Sequence, residues 1–276
     1  LGEGDLLQVA ECGDDRGEAR HVVAQIRQLC SQHDYTLADA AILYRTNAQS
    51  RVLEEELRRH KMPYIIVGGT RFYERKEIKD VLAYLRLLVN PADDVGLLRV
   101  INAPKRGIGD TTVEKIALFA RQTHTDLLQA ALHAGEVPGL AARAVKAVAT
   151  FGELMTGLAQ QIHEGGLSLP ELAQEVLDRS GYLEALRELD IPEADSRIDN
   201  LGELVNSMSE FSGRYEGEGI GLSQFLEDVA LMSSEDEVMA GAAGGTLTMM
   251  TLHSAKGLEY PIVAICGMEE EIFPTQ

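Results

Sequence analysis

Four short strings carry residues whose types and spacing could do chemistry. In Ile42-Leu43-Tyr44-Arg45-Thr46-Asn47-Ala48-Gln49-Ser50-Arg51, an apolar run ends on a tyrosine and an arginine just before a helical segment. A buried strand ending there would hold both at the carboxyl edge of a sheet, where open α/β sheets bind ligands. Arginine supplies a permanently charged planar fork and tyrosine a flat face; an ordinary exposed Tyr-Arg pair has the same spacing and is the stronger reading on spacing alone. The string Thr248-Met249-Met250-Thr251-Leu252-His253-Ser254-Ala255-Lys256-Gly257-Leu258-Glu259-Tyr260 ends a second apolar run with a hydroxyl, an imidazole, a cation and a carboxylate. A histidine standing alone is more often structural. In Tyr64 to Asp80 a strand-like run meets Gly68-Gly69, which permit positive φ and close approach by another chain. Phe72 or Tyr73 could then stack on a nucleobase, or Phe72 could be core and the nearby Arg and Lys a solvated face. Lys105-Arg106-Gly107-Ile108-Gly109-Asp110-Thr111-Thr112 has the form of a helix-hairpin-helix turn. Such a turn offers backbone N–H groups, a helix amino end and the charge of Lys105 or Arg106 to a phosphate. The plain alternative is an interhelical turn capped by Asp110 or Thr111.

These strings need elements to position them. Leu7 to Ala10, Ala40 to Tyr44 and Tyr64 to Val67 have the composition of short buried strands, separated by helical patterns around Ala19 to Leu29 and Val52 to Leu57. That rhythm predicts a parallel sheet covered on both faces. A further helix is predicted from about Arg75 to Val89, with Ile78, Val81, Leu82, Leu85 and Leu88 on one face. From Asp94 to about Glu237 every apolar repeat has helical spacing, so this block is all-α. Ala240 to Gly245 is a small-residue linker, and Thr246 to Leu252 and Pro261 to Cys266 return to strands. A helical block inserted between strands of one sheet explains the order most economically.

Composition limits the chemistry. The 276 residues, 45% of them hydrophobic, can bury one good core or two modest ones. The net charge of -19 argues against coating nucleic acid by bulk attraction, so any DNA contact must be local. Basic residues gather as Arg71, Arg75, Lys76 and Lys79 and as Arg99, Lys105 and Arg106, while acids dominate Glu216 to Glu237. Cys12, Cys30 and Cys266 form no C-x-x-C pair, which fits a reducing compartment without a zinc site. No apolar run is long enough to cross a bilayer and no export pattern begins the chain, so a cytoplasmic protein without membrane contact is expected. No phosphate-binding G-x-x-x-x-G-K-[ST] loop occurs. Asp236-Glu237-Val238-Met239 has the look of a metal-holding acidic motif, but Ser233-Ser234-Glu235 precedes it in place of a buried strand, and no metal ligand is assigned.

The string around Tyr44-Arg45 resembles the fourth motif of the UvrD/PcrA/Rep group of superfamily 1 DNA helicases. Thr248 to Pro274 resembles their fifth, and the Gly68-Gly69 and Gly107-Ile108-Gly109 turns have counterparts there. The resemblance runs from Leu7 to Pro274. It implies an α/β fold, a RecA-like parallel-sheet domain interrupted by an all-helical inserted domain, with residues 1–138 and 244–276 in the second motor domain and 139–243 in the insert. The first boundary could lie as early as Asp94, where the composition shifts. It implies that Tyr44 stacks on adenine, that Arg45 reaches the γ-phosphate as the catalytic arginine, and that Glu259 meets the ribose. Gly68, Gly69, Phe72, Thr251, His253 and Lys256 would grip single-stranded DNA. Lys105, Arg106, Gly107, Ile108, Gly109 and Thr111 would meet duplex DNA. Two positions depart from the usual pattern: Tyr260 where Phe is commoner, and Glu271 where Gly is usual, which bears on a backbone approach to DNA after Gly267.

The activity so implied is 3′ to 5′ movement on DNA in repair or replication, driven by ATP with Mg2+ and gated by conformational change. The partners implied are single-stranded DNA and its duplex junction, an amino-terminal motor half that holds the phosphate loop, and DNA-repair proteins. With that loop and the sixth motif missing, the chain alone is expected not to hydrolyse ATP. The rival readings are a non-catalytic DNA-binding or protein-docking module and a nuclease-associated relative. The first would scatter Tyr44, Arg45 and Glu259, whereas a motor would gather them on one sheet edge.

Overall fold

A computed structural model describes residues 6–189, 191, 193–214, 221–239 and 245–269, with backbone only for 163 and 233–239. The expected contact near Glu271, most of the linker and the side chains of the rejected Asp236 motif lie outside the described residues. The fold is mixed α/β and its sheet is entirely parallel. The chain divides into two compact units, 1–72 with 232–276, and 73–231. The second unit takes in residues 73–138, which pack with the helices that follow them.

In the first unit, helix α1 (Asp15–Gln32) leads into strand β1 (Ala40–Tyr44), α2 (Ser50–Arg59) and β2 (Tyr64–Val67); β3 (Leu247–Thr251) and β4 (Ile262–Ile265) come from the far end of the chain. The strand order is β2-β3-β1-β4. Tyr44 pairs with Thr251 and Val67 with Met250, so these three strands end side by side. Alternate strand residues, Ile42, Tyr44, Tyr64, Met249 and Ile262, pack beneath Ala19, Val23 and Ile26 of α1 and Val52, Leu53 and Leu57 of α2. The period of two along each strand and the apolar stripe along each helix put these residues on a common layer.

The strand expected at Leu7 to Ala10 is absent. Leu7 and Val9 are 95% and 97% exposed, and the segment joins no strand of the sheet. Apolar composition supplies β propensity but neither a ladder partner nor a covered face. Cys12, Cys30 and Cys266 are free thiols. Among the described residues no helix is long and apolar enough to cross a membrane.

The second unit is helical: α3 (Lys76–Val89), α4 (Asp94–Val100), α5 (Asp110–Thr123), α6 (Leu127–Leu132), α7 (Ala142–His163), α8 (Leu169–Arg179), α9 (Tyr182–Arg187) and α10 (Glu193–Gly213), while α11 (Leu222–Met239) crosses the second division. Helix α3 is its centre and packs on α4, α7, α8 and α10. Because it is covered nearly all round, its polar residues must be paired. Asp80 takes Arg99 Nε at 2.7 Å and the Tyr182 hydroxyl at 2.7 Å, and Glu77 accepts from Asn200 Nδ2 at 2.6 Å. Asn200 in turn accepts from Arg75 Nη1 at 2.8 Å.

Candidate nucleotide and nucleic-acid site

Because the strands are parallel, the loops after β1, β2 and β3 leave from one edge. Arg45 follows β1 there, half-buried, and its Nη1 lies 3.0 Å from Nδ1 and 3.2 Å from Nε2 of His253, just past β3. The backbone of Arg45 is fixed independently. Gln49 Oε1 accepts the N–H groups of both Arg45 and Thr46 at 2.9 Å. The Gln49 amide lies against Gly267, where a Cβ would collide with it. The Gly267 N–H donates to Glu18 Oε1 at 2.9 Å.

The loop after β3 is folded by its own residues. Leu252 N–H extends the ladder to the Tyr44 carbonyl at 2.8 Å, and Ser254 N–H turns back to the Thr251 carbonyl at 2.9 Å. The hydroxyls of Thr251 and Ser254 meet at 3.0 Å. This short turn leaves His253 and Lys256 exposed. The neighbouring turn after β2 comes close: Gly68 has φ +74°, and a Cβ on it would stand 3.0 Å from Ser254 Oγ. The glycine is needed here on both counts. Glu54, buried in α2, holds that turn by accepting the Phe72 N–H at 3.2 Å, together with the Tyr64 hydroxyl at 3.1 Å and Ser50 Oγ at 2.7 Å.

Arg45, Thr251, His253, Gly68 and Gly69 are thus brought to one edge. The expected stacking surfaces are not exposed there. Tyr44 and Phe72 are each 0% exposed, and Tyr44 is part of the core under α1 and α2. A ring enclosed on both sides has no face for a base, so neither is presented for stacking. Tyr73 is buried as well. Glu259 is exposed on the connection from β3 to β4, close before Ile262, and no hydrogen bond or ion pair joins it to Arg45.

In the helical unit, the expected hairpin turn joins α4 to α5. Gly107 has φ +76° and Gly109 is the N-cap of α5, whose first turn receives no side-chain cap from Asp110 or Thr111. Lys105 and Thr111 are exposed and Ile108 is buried. Arg106, expected to offer charge to a phosphate, is turned inward. Its Nη1 donates to the carbonyls of Val100 at 3.0 Å, Pro104 at 3.2 Å and Ile101 at 3.4 Å. Its Nη2 donates to the Tyr84 hydroxyl at 2.6 Å and the Ser180 carbonyl at 3.0 Å. The guanidinium also lies over the rings of Tyr84 and Phe151. Burial pushes the Tyr84 phenol up to about 12 against the opposing pull of Arg106, so it stays a neutral hydroxyl. Asn102 Oδ1 completes the turn, accepting the N–H of Arg106 at 2.7 Å and of Ile108 at 3.3 Å.

Apart from Arg71, which lies over the Tyr64 ring, the basic residues gathered in the sequence are divided by residue type. Arg75, Arg99 and Arg106 join helices, while Lys76, Lys79 and Lys105 face solvent. Sequence reading missed Gln49, Glu54 and Asn102. The only signal for Gln49 was its place before a helix, and the other two had none.

A parallel sheet with its loops gathered on the carboxyl edge, interrupted in the chain by a helical block, defines an α/β protein of the RecA-like kind with an all-helical insert. Comparison with known sequences gives the family. Residues 1–276 match the UvrD-like helicase C-terminal domain, and the chain belongs to that family. It is 43% identical over 276 residues to the ATP-dependent DNA helicase PcrA of Bacillus subtilis (strain 168), covering 99% of this chain and 37% of that protein. It is 42% identical over 288 residues to the ATP-dependent DNA helicase UvrD1 of Mycobacterium bovis, again covering 99% and 37%. The chain thus spans little more than a third of the length of these relatives.

Proposed function

We propose that this chain supplies the second motor lobe and inserted helical domain of an ATP-dependent DNA helicase moving 3′ to 5′ along single-stranded DNA. In this reading 1–138 and 244–276 form the lobe and 139–243 the insert. The observation that carries it is the meeting of Arg45 and His253 at the carboxyl edge of adjacent parallel strands. A nucleotide held between this edge and a phosphate-loop lobe meets Arg45, whose planar fork stabilises charge developing on the γ-phosphoryl group. Glu259 meets the ribose, and Tyr44, enclosed in the core, supports the strand end on which Arg45 stands. Thr251, His253, Lys256 and the Gly68-Gly69 turn contact single-stranded DNA. The duplex meets Lys105, Thr111 and the backbone of Gly107 to Gly109, with Ile108 packed beneath.

Among the described residues no group of three or more His, Cys, Asp or Glu side chains is placed to hold a metal ion. In our reading Mg2+ accompanies the ATP, and no step here passes through it. The chain by itself is not expected to turn over ATP, because the phosphate-cradling loop is supplied by the other lobe. The test uses an enzyme that joins this chain to such a lobe. Arg45→Ala should lower kcat for ATP by ~10³-fold at saturating single-stranded DNA, and Arg45→Lys should recover little. A normal kcat in Arg45→Ala would refute the reading and favour a non-catalytic DNA-binding module.

A further inference from the structure

We propose that His253 is a positioning residue for Arg45, so that one imidazole serves both the DNA strand and the arginine that meets the nucleotide. This rests on the reading of Arg45 given above. The geometry is specific. Arg45 Nη1 stands 3.0 Å from Nδ1 and 3.2 Å from Nε2 of His253. An atom this near both ring nitrogens would strike the carbon between them if it lay in the ring plane, so the guanidinium nitrogen rests over the face of the imidazole. The ring lone pairs lie in the plane of the ring, so what holds the cation is the flat π face. The contact therefore needs a ring at this place, not merely an exposed polar side chain.

The surroundings leave this contact to set the arginine. The amide of Arg45 is held by Gln49, and the Tyr44–Thr251 pairing with the Leu252 to Tyr44 backbone bond fixes where the loop of His253 departs. Thr251 and Ser254 lock the turn that carries the imidazole. With both backbones fixed, the freedom left to the guanidinium is in its side-chain torsions, and the His253 ring is the group that restricts them. DNA bound at His253 thereby acts on the orientation of Arg45 without touching it.

The experiment is a double-mutant cycle on DNA-stimulated ATP turnover in the enzyme carrying both lobes, at saturating single-stranded DNA. His253→Ala should lower kcat by about 10- to 100-fold, as loss of an orienting partner does. His253→Phe, which restores a flat ring, should recover most of that loss. His253→Lys, which offers the strand a charge but no ring, should recover DNA affinity and not kcat. In the Arg45→Ala background, His253→Ala should lower kcat no further. His253 is exposed, so these changes leave the core intact. Losses that multiply in the double variant, or rescue by Lys as full as by Phe, would overturn the proposal while leaving Arg45 as the nucleotide arginine. A normal kcat in Arg45→Ala would remove both.

Discussion

At the carboxyl edge of the sheet, Arg45 commits one guanidinium nitrogen to one side chain, His253. In the helical unit, Arg106 commits both of its terminal nitrogens, to the carbonyls of Val100, Ile101, Pro104 and Ser180 and to the Tyr84 hydroxyl. Each stands beside a turn that the sequence marks as ligand-binding, and each is half-buried. What separates them is the number of acceptors the protein itself provides. A guanidinium whose donors are satisfied by carbonyls has little left for a phosphate, and removing it strands those carbonyls. A guanidinium held at one point keeps most of its donors for a ligand. One arginine is equipped to meet a nucleotide, while the other shapes the turn that Lys105 and the backbone present.

The comparison breaks most sharply on stability. Arg106→Ala should destabilise the helical unit by about 3 kcal/mol, since several charge-assisted bonds go and buried carbonyls lose their partner. Urea unfolding followed by helical circular dichroism measures this, and a loss below about 1 kcal/mol would show that the clamp contributes little.

Tyr84 sharpens the same contrast through pH. Its hydroxyl accepts from Arg106 and donates to the Ala103 carbonyl at 2.7 Å, and its folded pKa is raised from 10.0 to about 12. The folded state keeps this proton where the unfolded state has lost it. The contribution is therefore complete below pH 10 and lost as the pH rises toward 12. Relative to Tyr84→Phe, the native protein should lose on the order of 2 to 3 kcal/mol across that interval. Parallel pH curves for the two proteins would show that the phenol ionises freely.

The smallest effect belongs to Lys105. Its removal should leave stability within about 0.5 kcal/mol of the native value. It should also reduce the salt slope of duplex binding by about 1, whereas Arg106→Gln should weaken binding without changing the slope. A lower slope in Arg106→Gln would mean that this arginine does reach a phosphate.

The order of elements was legible because periodicity reports it. Strands at Ala40, Tyr64, Thr246 and Pro261 and the long helical block stand in the structure within a few residues of their expected places. Leu7 to Ala10 misled because a short apolar run does not reveal whether a strand is waiting to pair with it. The edge residues Arg45, Gly68, Thr251 and His253 were legible because each closes or follows a strand-like run. Which way a side chain turns was not. Tyr44 ends its strand on the covered face, and Phe72 is drawn inward as its own amide binds Glu54. Nor could spacing distinguish the lysines that face water from the arginines that join helices, because Ser180 and Asn200, which receive Arg106 and Arg75, lie far along the chain from them.

The seating of Gln49 against Gly267 has a consequence for motion. Amides just past a strand end ordinarily exchange quickly, because no ladder holds them. Those of Arg45 and Thr46 share the carbonyl oxygen of a side chain instead. Their hydrogen exchange should therefore proceed as a pair, at the rate at which Gln49 leaves its place beside the glycine. The departure of one side chain thus becomes the opening event that the backbone of this arginine registers, and its lifetime can be timed without any ligand present.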